Sequence, residues 1–303
     1  MIISQTPYRI SFFGGGTDYP NWYRENGGRV LAVGIDKFVY ISCRYLPPFF
    51  EHKYRIVWSH IENVKKIDQI KHKAVREMLK YFKIKRGLEI HYDGDLPGRS
   101  GIGSSSAFTV GLLNALYRFK GEDVGAHRLA RESIYIEQEL VGEKVGSQDQ
   151  ISVAYGGLNR IQFLPDGEIV VRPIAADRDR VNQLSDRIML FYTGISRTAS
   201  DIADTYVSNL DKRSESLHRL NQLVDDAIDI LVGEVDLDDF GELLHETWTL
   251  KRSLSPQIST PKIDALYSIA QSAGAIGGKL SGAGGGGMLL LYVPPEQQAD
   301  VRE

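Results

Sequence analysis

Leu96-Pro97-Gly98-Arg99-Ser100-Gly101-Ile102-Gly103-Ser104-Ser105-Ser106-Ala107 joins an alternating apolar segment, residues 88–92, to an apolar segment with helical spacing, residues 108–119. Glycines allow backbone N–H groups to turn inward at a helix start, where unpaired donors and the helix dipole favour a phosphate. Clustered serine hydroxyls can ligate the cation that accompanies a phosphate. The stretch predicts a phosphate-binding loop, although a glycine-rich turn with a serine N-cap would have the same composition.

A second glycine-rich run lies far down the chain, before the apolar residues 288–293. It reads Lys279, Leu280, Ser281, Gly282, Ala283, Gly284, Gly285, Gly286, Gly287. Residues 282–287 match G-x-G-x-x-G, but a dinucleotide-binding fingerprint follows a strand and opens a helix, whereas this run opens a strand-like segment. Neither run is followed by a Walker lysine, which excludes an ordinary P-loop. Two such loops suggest a nucleotide enclosed from two sides.

A third motif near the N-terminus completes the set. It reads Pro7, Tyr8, Arg9, Ile10, Ser11, Phe12, Phe13, Gly14, Gly15, Gly16, Thr17, Asp18, Tyr19. With these three motifs in this order, the chain resembles the GHMP kinases, small-molecule kinases that include galactokinase, mevalonate kinase and homoserine kinase. The resemblance runs from about Pro7 to about Val293. Within the family, residues 13–18 and 141–150 look most like the D-glycero-D-manno-heptose 7-phosphate kinases.

The resemblance implies an α+β, two-domain GHMP kinase fold. Its N-terminal domain would be like the second domain of ribosomal protein S5 and its C-terminal domain ferredoxin-like, with the active site between them. The charged, weakly patterned residues 174–186 suggest a boundary, which gives domains over residues 1–180 and 181–303. Relatives usually continue past the helix that begins near Pro294, so we expect a C-terminal domain that is shortened at its end.

The spacing of apolar residues predicts the order of the elements. We expect strands over residues 9–13, 30–45 and 54–58 and a helix over 64–82. Mostly helical structure is expected from the serine-rich loop at residues 96–107 (the serine loop, or phosphate loop) to about 154. Beyond that point, strands are predicted over 158–163, 168–173 and 188–192, followed by helices that end near residues 233, 254 and 273.

The composition is that of a soluble globular protein. The chain has 303 residues, 42% hydrophobic and 25% charged, with a net charge of −3, and its short basic runs fit a solvated helix face better than a nucleic-acid site. Cys43 is the only cysteine and is expected to be packed in the core. We predict a cytoplasmic monomer or homodimer without a signal peptide, a membrane span or a nucleic-acid partner.

Phosphoryl transfer needs cradled phosphates, a divalent cation and a group that positions or deprotonates the acceptor. ATP and Mg²⁺ are therefore the expected cofactors, and the resemblance implies that Ser105 ligates Mg²⁺. A second ligand should be a carboxylate on the helix over residues 124–141. Helical phase places Glu137 in the apolar stripe and Glu139 on the solvated side, which favours Glu137. A buried carboxylate requires a cation or strong partner, and an ion pair with an arginine is the alternative.

The resemblance also assigns the catalytic pair. Asp149 matches the family aspartate that accepts or orients the proton of the acceptor hydroxyl. Arg9 matches the arginine beside it, which would stabilise negative charge on the aspartate and on the transferring group. Without the resemblance, Arg9 could be an exposed strand residue and Asp149 a helix cap.

Substrate-binding residues are expected in two segments. Asp18 lies where galactokinases bind sugar hydroxyls, and Gly15, Gly16 and Thr17 precede it, but galactokinases have Glu-His in place of Gly15-Gly16. A galactose site therefore does not carry over. Arg197, in a segment typical of the heptose kinase group, could bind the sugar or its phosphate, or be a surface arginine beside a helix cap.

These motifs predict an ATP- and Mg²⁺-dependent kinase that phosphorylates the anomeric hydroxyl of a sugar phosphate, with D-glycero-D-manno-heptose 7-phosphate as the first candidate. Its product would serve nucleotide-activated heptose synthesis. A fucokinase-like or galactokinase-like sugar 1-kinase is the alternative. A non-catalytic sensor of sugar and ATP is a third reading, although such a protein would be expected to lose part of the set Arg9, Ser105, Glu137 and Asp149.

Overall fold

The computed structural model describes residues 1–195 and 213–303. Its α+β architecture confirms the predicted fold class. In these residues the strands are β1 (Ile2–Phe13), β2 (Gly28–Tyr45), β3 (Tyr54–Val57), β4 (Ile61–Val64), β5 (Leu88–Gly94), β6 (Leu158–Phe163), β7 (Ile169–Pro173), β8 (Ile188–Tyr192), β9 (Gly277–Leu280) and β10 (Met288–Tyr292). The helices are α1 (Pro20–Asn26), α2 (Lys73–Tyr81), α3 (Ser104–Phe119), α4 (Ala126–Tyr135), α5 (Gln148–Tyr155), α6 (Arg178–Arg187), α7 (Ser214–Val232), α8 (Asp238–Leu254), α9 (Pro261–Ser272) and α10 (Gln298–Arg302).

The described strands form two sheets. The larger runs β4-β3-β5-β2-β6-β7, with β1 also paired to β2. Only β3 and β5 pair in parallel there. The smaller, antiparallel sheet has the order β8-β10-β9. The second glycine run begins in β9, and its glycines, residues 282–287, lie between β9 and β10 and lead into a strand, as the sequence predicts.

Two apolar cores hold these layers together. One packs α2 and α3 against β1, β2 and β5 and buries Cys43, as expected. The other joins the end of β1 to the small sheet and to α7, α8 and α9. Within it, Phe12 and Phe13 contact the ring of Phe240 edge-on at 5.4 and 4.9 Å between centroids. Because this second core contains the N-terminal strand and the C-terminal helices, its burial holds the two halves in one arrangement.

Several stretches differ from the pattern-based prediction, and α1 and β9 were not predicted at all. The helix expected over residues 64–82 begins only at Lys73, after strand β4 and a short 3₁₀ turn. The buried Glu62 carboxylate accepts hydrogen bonds from the backbone N–H groups of Lys71 (2.5 Å) and His72 (3.1 Å), which fixes these residues outside the helix. Residues 178–187, expected at the domain boundary, form α6, whose N-cap Asp177 accepts from the Asp179 N–H. The division between residues 180 and 181 stays a prediction.

In the described part of the chain, no helix combines the length and the apolar character needed to cross a bilayer.

Candidate active site

Arg9 is directed into the site by an irregularity in β1. The register of β1 against β2 shifts between Pro7 and Arg9, and such bulges bend a strand and re-aim its side chains. The Arg9 backbone N–H donates to the carbonyl oxygen of Ile102 in the serine loop at 3.0 Å. Only 2% of Arg9 is exposed, which excludes the reading of Arg9 as an exposed strand residue.

The guanidinium of Arg9 and the carboxylate of Asp149 form a two-point ion pair. Arg9 Nε donates to Asp149 Oδ1 at 2.9 Å and Nη2 donates to Oδ2 at 2.7 Å. The remaining nitrogen, Nη1, donates to the carbonyl oxygen of Gly101 at 2.7 Å. Bidentate pairing fixes the orientation of both groups. The structure thus brings together the two residues that the resemblance assigned to catalysis, beside the serine loop.

Asp18 lies next to this pair and is 1% exposed. Its Oδ1 accepts from the Gly16 N–H at 3.1 Å, and its Oδ2 accepts from the Gln148 N–H at 3.2 Å in the first turn of α5. A Cβ at Gly146 would lie 1.9 Å from Asp18 Oδ2, so glycine there makes room for the carboxylate. Burial raises the pKa of Asp18, the two backbone N–H groups oppose this rise, and the charge of Asp149 adds to it.

The serine loop leads directly into α3. Gly103 is the N-cap residue, with a φ of 76° and no side chain to cap the helix. The serine-cap reading is therefore not observed. Ser100 donates to the Pro97 carbonyl oxygen at 2.6 Å, and Ser104 Oγ accepts from the Arg99 N–H at 3.2 Å. The first N–H groups of a helix lack intrahelical partners, so this helix start presents donors suited to a phosphate.

The second glycine run packs directly against the serine loop. Gly101 and Gly282 have φ angles of +79° and +70°, and a Cβ on Gly101 would lie 2.4 Å from the Ser281 carbonyl oxygen. A Cβ on Gly282 would lie 2.7 Å from the Gly101 Cα. The Met288 N–H donates to the Ser100 carbonyl oxygen at 2.8 Å. Only glycine fits both positions without displacing the facing backbone, so the two loops form one continuous surface.

Glu137 is buried as helical phase predicted, although the local structure is not a regular α-helix. Residues 136–140 form a π-helical turn after α4, a feature that is frequent at functional sites. Glu137 is 2% exposed, whereas Glu139 is exposed. Glu137 Oε2 accepts from Gln150 Nε2 at 2.6 Å and from Ser106 Oγ at 3.1 Å.

The remaining oxygens around Glu137 fit a cation. Among the described residues, the buried atoms Glu137 Oε1 and Gln150 Oε1 have no hydrogen-bond donor. Thr109 faces the carboxylate, but its hydroxyl donates to the Ser105 carbonyl oxygen at 3.2 Å. No ion pair with an arginine is seen for Glu137 in the described part of the chain. Unpaired oxygens of this kind are the ligands that Mg²⁺ prefers.

The structure does not bring the Ser105 hydroxyl to Glu137. Ser105 is exposed at the start of α3, and the buried hydroxyl that contacts the carboxylate is that of Ser106. Successive residues of a helix point about 100° apart, so only one of two neighbours can face a given group. Mg²⁺ ligation by Ser105 stays a prediction, and Ser106 joins it as a candidate. The described residues contain no cluster of three or more His, Cys, Asp or Glu side chains that could hold a metal alone.

Glu137→Gln is expected to stabilise the metal-free protein at alkaline pH. Burial raises the pKa of Glu137 to about 7, and the donated hydrogen bonds only partly oppose this. Because the folded-state pKa lies above the unfolded value, the folded state loses stability as pH rises through about 7. The loss is at most about 3 kcal/mol. In buffer that contains a chelator, the Tm difference between the variant and the wild type should grow from pH 5 to pH 8. Addition of Mg²⁺ should reduce this Tm difference.

The exposed Glu139→Gln variant is the matched control and should show no such pH-dependent difference in Tm. A Tm difference for Glu137→Gln that is equal at pH 5 and pH 8 would contradict an unpaired buried carboxylate.

Two buried lysines near the site were not predicted. Lys251, on α8, donates to the carbonyl oxygens of Leu280 (3.2 Å) and Gly282. Lys279, on β9, donates to the Phe12 carbonyl oxygen at 2.7 Å. Burial lowers the pKa of both ammonium groups. In the sequence, each lysine interrupts an otherwise apolar or glycine-rich pattern, which is the one local signal that could have indicated them.

The predicted substrate residues have different surroundings. The Thr17 hydroxyl is buried against backbone and donates to the Gly14 carbonyl oxygen at 2.8 Å, so it supports the turn that carries Asp18. Gly15 faces Gln148, and Gly16 faces the side chains of Leu217 and Leu254. Arg197 lies outside the described residues.

The other residues of the two glycine-rich loops differ in their surroundings. In the phosphate loop, Gly98 borders open space and Ile102 is buried in the core. In the second loop, Ala283, Gly284 and Gly285 continue along Ile258.

Two family models match the chain. The GHMP kinases N terminal domain matches residues 69–157, and the GHMP kinases C terminal model matches residues 231–303. Together they cover more than half of the sequence. The chain belongs to the GHMP kinases. It is therefore a phosphotransferase with an alcohol group as acceptor, and ATP is the phosphate donor of this family.

Individual relatives of this GHMP kinase support the same placement. It is 28% identical over 318 residues to D-glycero-alpha-D-manno-heptose 7-phosphate kinase from Campylobacter jejuni, covering 99% of this chain and 91% of the relative. It is 26% identical to the bifunctional fucokinase/GDP-fucose pyrophosphorylase of Arabidopsis thaliana, covering 92% of this chain but only 28% of that longer protein. The fold matches the crystal structure of a D-glycero-D-manno-heptose 1-phosphate kinase from Bacteroides thetaiotaomicron with a TM-score of 0.79 at 22% identity, covering 99% of this chain and 91% of that one.

Proposed function

We propose that this GHMP kinase transfers the γ-phosphoryl group of ATP to the anomeric hydroxyl of a sugar phosphate, with D-glycero-D-manno-heptose 7-phosphate as the leading substrate. The observation that carries the proposal is the two-point Arg9–Asp149 ion pair, which joins an acceptor-side carboxylate to the phosphate loop through Gly101. The similarity to the Campylobacter jejuni enzyme, which extends over nearly the full length of both chains, supports heptose as the sugar.

In this mechanism the acceptor hydroxyl lies against Asp149. As the new bond between the acceptor oxygen and the γ-phosphorus forms, the bond to the β-phosphate oxygen breaks, and the hydroxyl proton passes to Asp149. Arg9 holds Asp149 in place and lies beside the charge that develops on the transferring group. Asp18, fixed by two backbone N–H groups, accepts hydrogen bonds from other sugar hydroxyls. These contacts supply orientation, which accounts for much of the catalysis in phosphoryl transfer.

Mg²⁺ fits the oxygens around Glu137. Glu137, Gln150 and a serine at the start of α3, Ser105 or Ser106, would hold it, and it would neutralise charge on the phosphate oxygens of ATP. We also propose that the chain has two domains, over residues 1–180 and 181–303, and that it is a cytoplasmic monomer or homodimer.

A panel of acceptors in a coupled ADP-release assay tests the function. Heptose 7-phosphate should give a kcat/KM at least about 10²-fold higher than unphosphorylated heptose, because a charge-assisted hold on the sugar's own phosphate discriminates strongly. Phosphorus-31 NMR of the product should show a new anomeric phosphate. The anchoring cation is proposed to be Arg197, so Arg197→Gln should reduce the preference for the phosphorylated sugar.

Equal activity on heptose and heptose 7-phosphate would refute the phosphate anchor. Turnover of fucose or galactose with neither heptose used would replace the substrate with that of a fucokinase-like or galactokinase-like enzyme. If the protein binds sugar and ATP tightly but forms no ADP with any acceptor in the panel, the non-catalytic sensor would be favoured.

A further inference from the structure

Lys251 is a buried cation that the mechanism above does not use. Only 7% of it is exposed. Its ammonium group has three N–H donors, and two of them are accounted for by the carbonyl oxygens of Leu280 and Gly282 in the second glycine loop. Within residues 1–195 and 213–303, the third N–H has no acceptor. A buried charged donor without a partner is costly, so a ligand oxygen is the expected occupant.

The surroundings of Lys251 place its ammonium group between the phosphate-binding loops and the residues assigned to the acceptor. On one side, Gly282 packs against Gly101 of the phosphate loop. On the other side, the charged groups that act on the ammonium are Arg9 on β1, Asp18 after β1 and Asp149 on α5. Lys279 on β9 is the fourth charged neighbour. Lys251 therefore lies where the phosphate-binding loops meet the acceptor carboxylates.

The carboxylates of Asp149 and Asp18 do not supply an acceptor for the third N–H of Lys251. Asp149 already binds Arg9 through both oxygens, and Asp18 accepts from two backbone N–H groups. Neither carboxylate forms an ion pair with Lys251 in the described part of the chain. A group with additional negative charge, bound between the glycine loops and Asp149, would complete the arrangement.

We propose that Lys251 donates its third N–H to the γ-phosphoryl group of ATP and acts as a second cation beside Arg9. The proposal deepens the function proposed above, since it rests on ATP-dependent transfer but not on the identity of the acceptor. The two carbonyl contacts orient the ammonium before ATP binds, so the charge is already in place when negative charge shifts during transfer.

Lys251→Gln tests the charge separately from the contacts to the loop, because the glutamine amide can still donate to a carbonyl oxygen. The variant should bind ADP with nearly unchanged affinity and bind ATP, without acceptor, at least about 10-fold more weakly. With the acceptor that the wild type uses, kcat should fall by about 10²-fold. Calorimetric titration in the presence of Mg²⁺ measures both nucleotide affinities, and a thermal melt checks the fold.

Arg252→Gln is the matched control. Arg252 is the next residue on α8, but it pairs with Asp264 at 3.1 Å and lies over the Trp248 ring. Its loss should leave the ratio of ATP to ADP affinity unchanged.

The wild-type protein provides a second test that needs no variant. The pKa of Lys251 is lowered to about 8, first by burial and then by the charge of Arg9, with Asp18 and Asp149 opposing both. Because the ammonium is charged below this pKa, the ratio of ATP to ADP affinity should fall as pH rises above about 8. In Lys251→Gln this pH dependence should be absent.

Equal weakening of ATP and ADP by Lys251→Gln would overturn the proposal and leave Lys251 as an anchor of the second glycine loop. Unchanged affinity for both nucleotides would also overturn it, as would a wild-type affinity ratio that stays constant up to pH 10. Since these measurements use nucleotides alone, the proposal can fail while the sugar assignment holds, and the reverse.

Discussion

Asp149→Asn is expected to lower kcat by about 10³-fold while leaving ATP affinity nearly unchanged. The amide cannot take up the acceptor proton, and its nitrogen cannot accept one of the two hydrogen bonds that Arg9 now donates to the carboxylate. Both the proton acceptor and the orientation of the pair are lost. The phosphate loop itself does not bond to the Asp149 side chain in the described residues, so nucleotide binding should persist. Steady-state kinetics and titration with ATP measure the two effects.

Asp166→Asn is the matched control, since Asp166 is exposed in the turn between β6 and β7 and should not affect kcat. A thermal melt identifies loss of fold, which matters because the buried Arg9 would lose its ion pair and keep at most one of its two hydrogen bonds to residue 149. Near-normal kcat in a folded Asp149→Asn protein would remove Asp149 from its assigned role.

Glu137→Gln is expected to lower kcat by about 10³-fold at low millimolar Mg²⁺, with partial recovery at higher concentrations. Glu137 is the one residue of the candidate metal site that carries a negative charge, and its Oε1 has no hydrogen-bond donor among the described residues. Removal of that charge should weaken cation binding directly. The measurement is a Mg²⁺ titration of the rate at saturating ATP.

Glu139→Gln provides the comparison, because Glu139 lies two residues away on the exposed side of the same turn. It should show wild-type dependence on Mg²⁺. Greater damage from Glu139→Gln than from Glu137→Gln would show that the choice of metal ligand is wrong.

Much of the site could be predicted because its residues lie in local motifs. The serine loop, the second glycine run and the segment that carries Arg9 and Asp18 each have a distinctive composition. Burial of Glu137 followed from helical phase, because the side chains of a helix repeat about every 3.6 residues. This prediction survived the π-helical turn, since a single wide turn changes the direction of a neighbouring side chain too little to expose it.

Other parts of the site depend on contacts between distant residues. Lys251 lies in a predicted helix and Lys279 opens the second glycine run, and neither pattern shows where an ammonium group will point. Gln150 and Ser106 belong to motifs, but their meeting at Glu137 requires α3, α5 and the π-helical turn to pack together. The choice between Ser105 and Ser106 depends on the rotation of α3, which packing sets.

The helices and strands, like the site residues, include some that the sequence predicts and others that depend on tertiary contacts. Strong periodicity located the ends of α8 and α9 to within about a residue, because a helix with one buried face has apolar residues at regular spacing. The start of α2 could not be predicted, since it depends on the buried Glu62 carboxylate accepting from the Lys71 and His72 N–H groups. The sequence by itself thus determined the family, the loops and most elements, all of which are set by local composition and spacing. Only the tertiary structure decided which charges meet, because the Arg9–Asp149 pair spans 140 positions of the chain and the contacts of Lys251 depend on how α8 packs against the glycine loops.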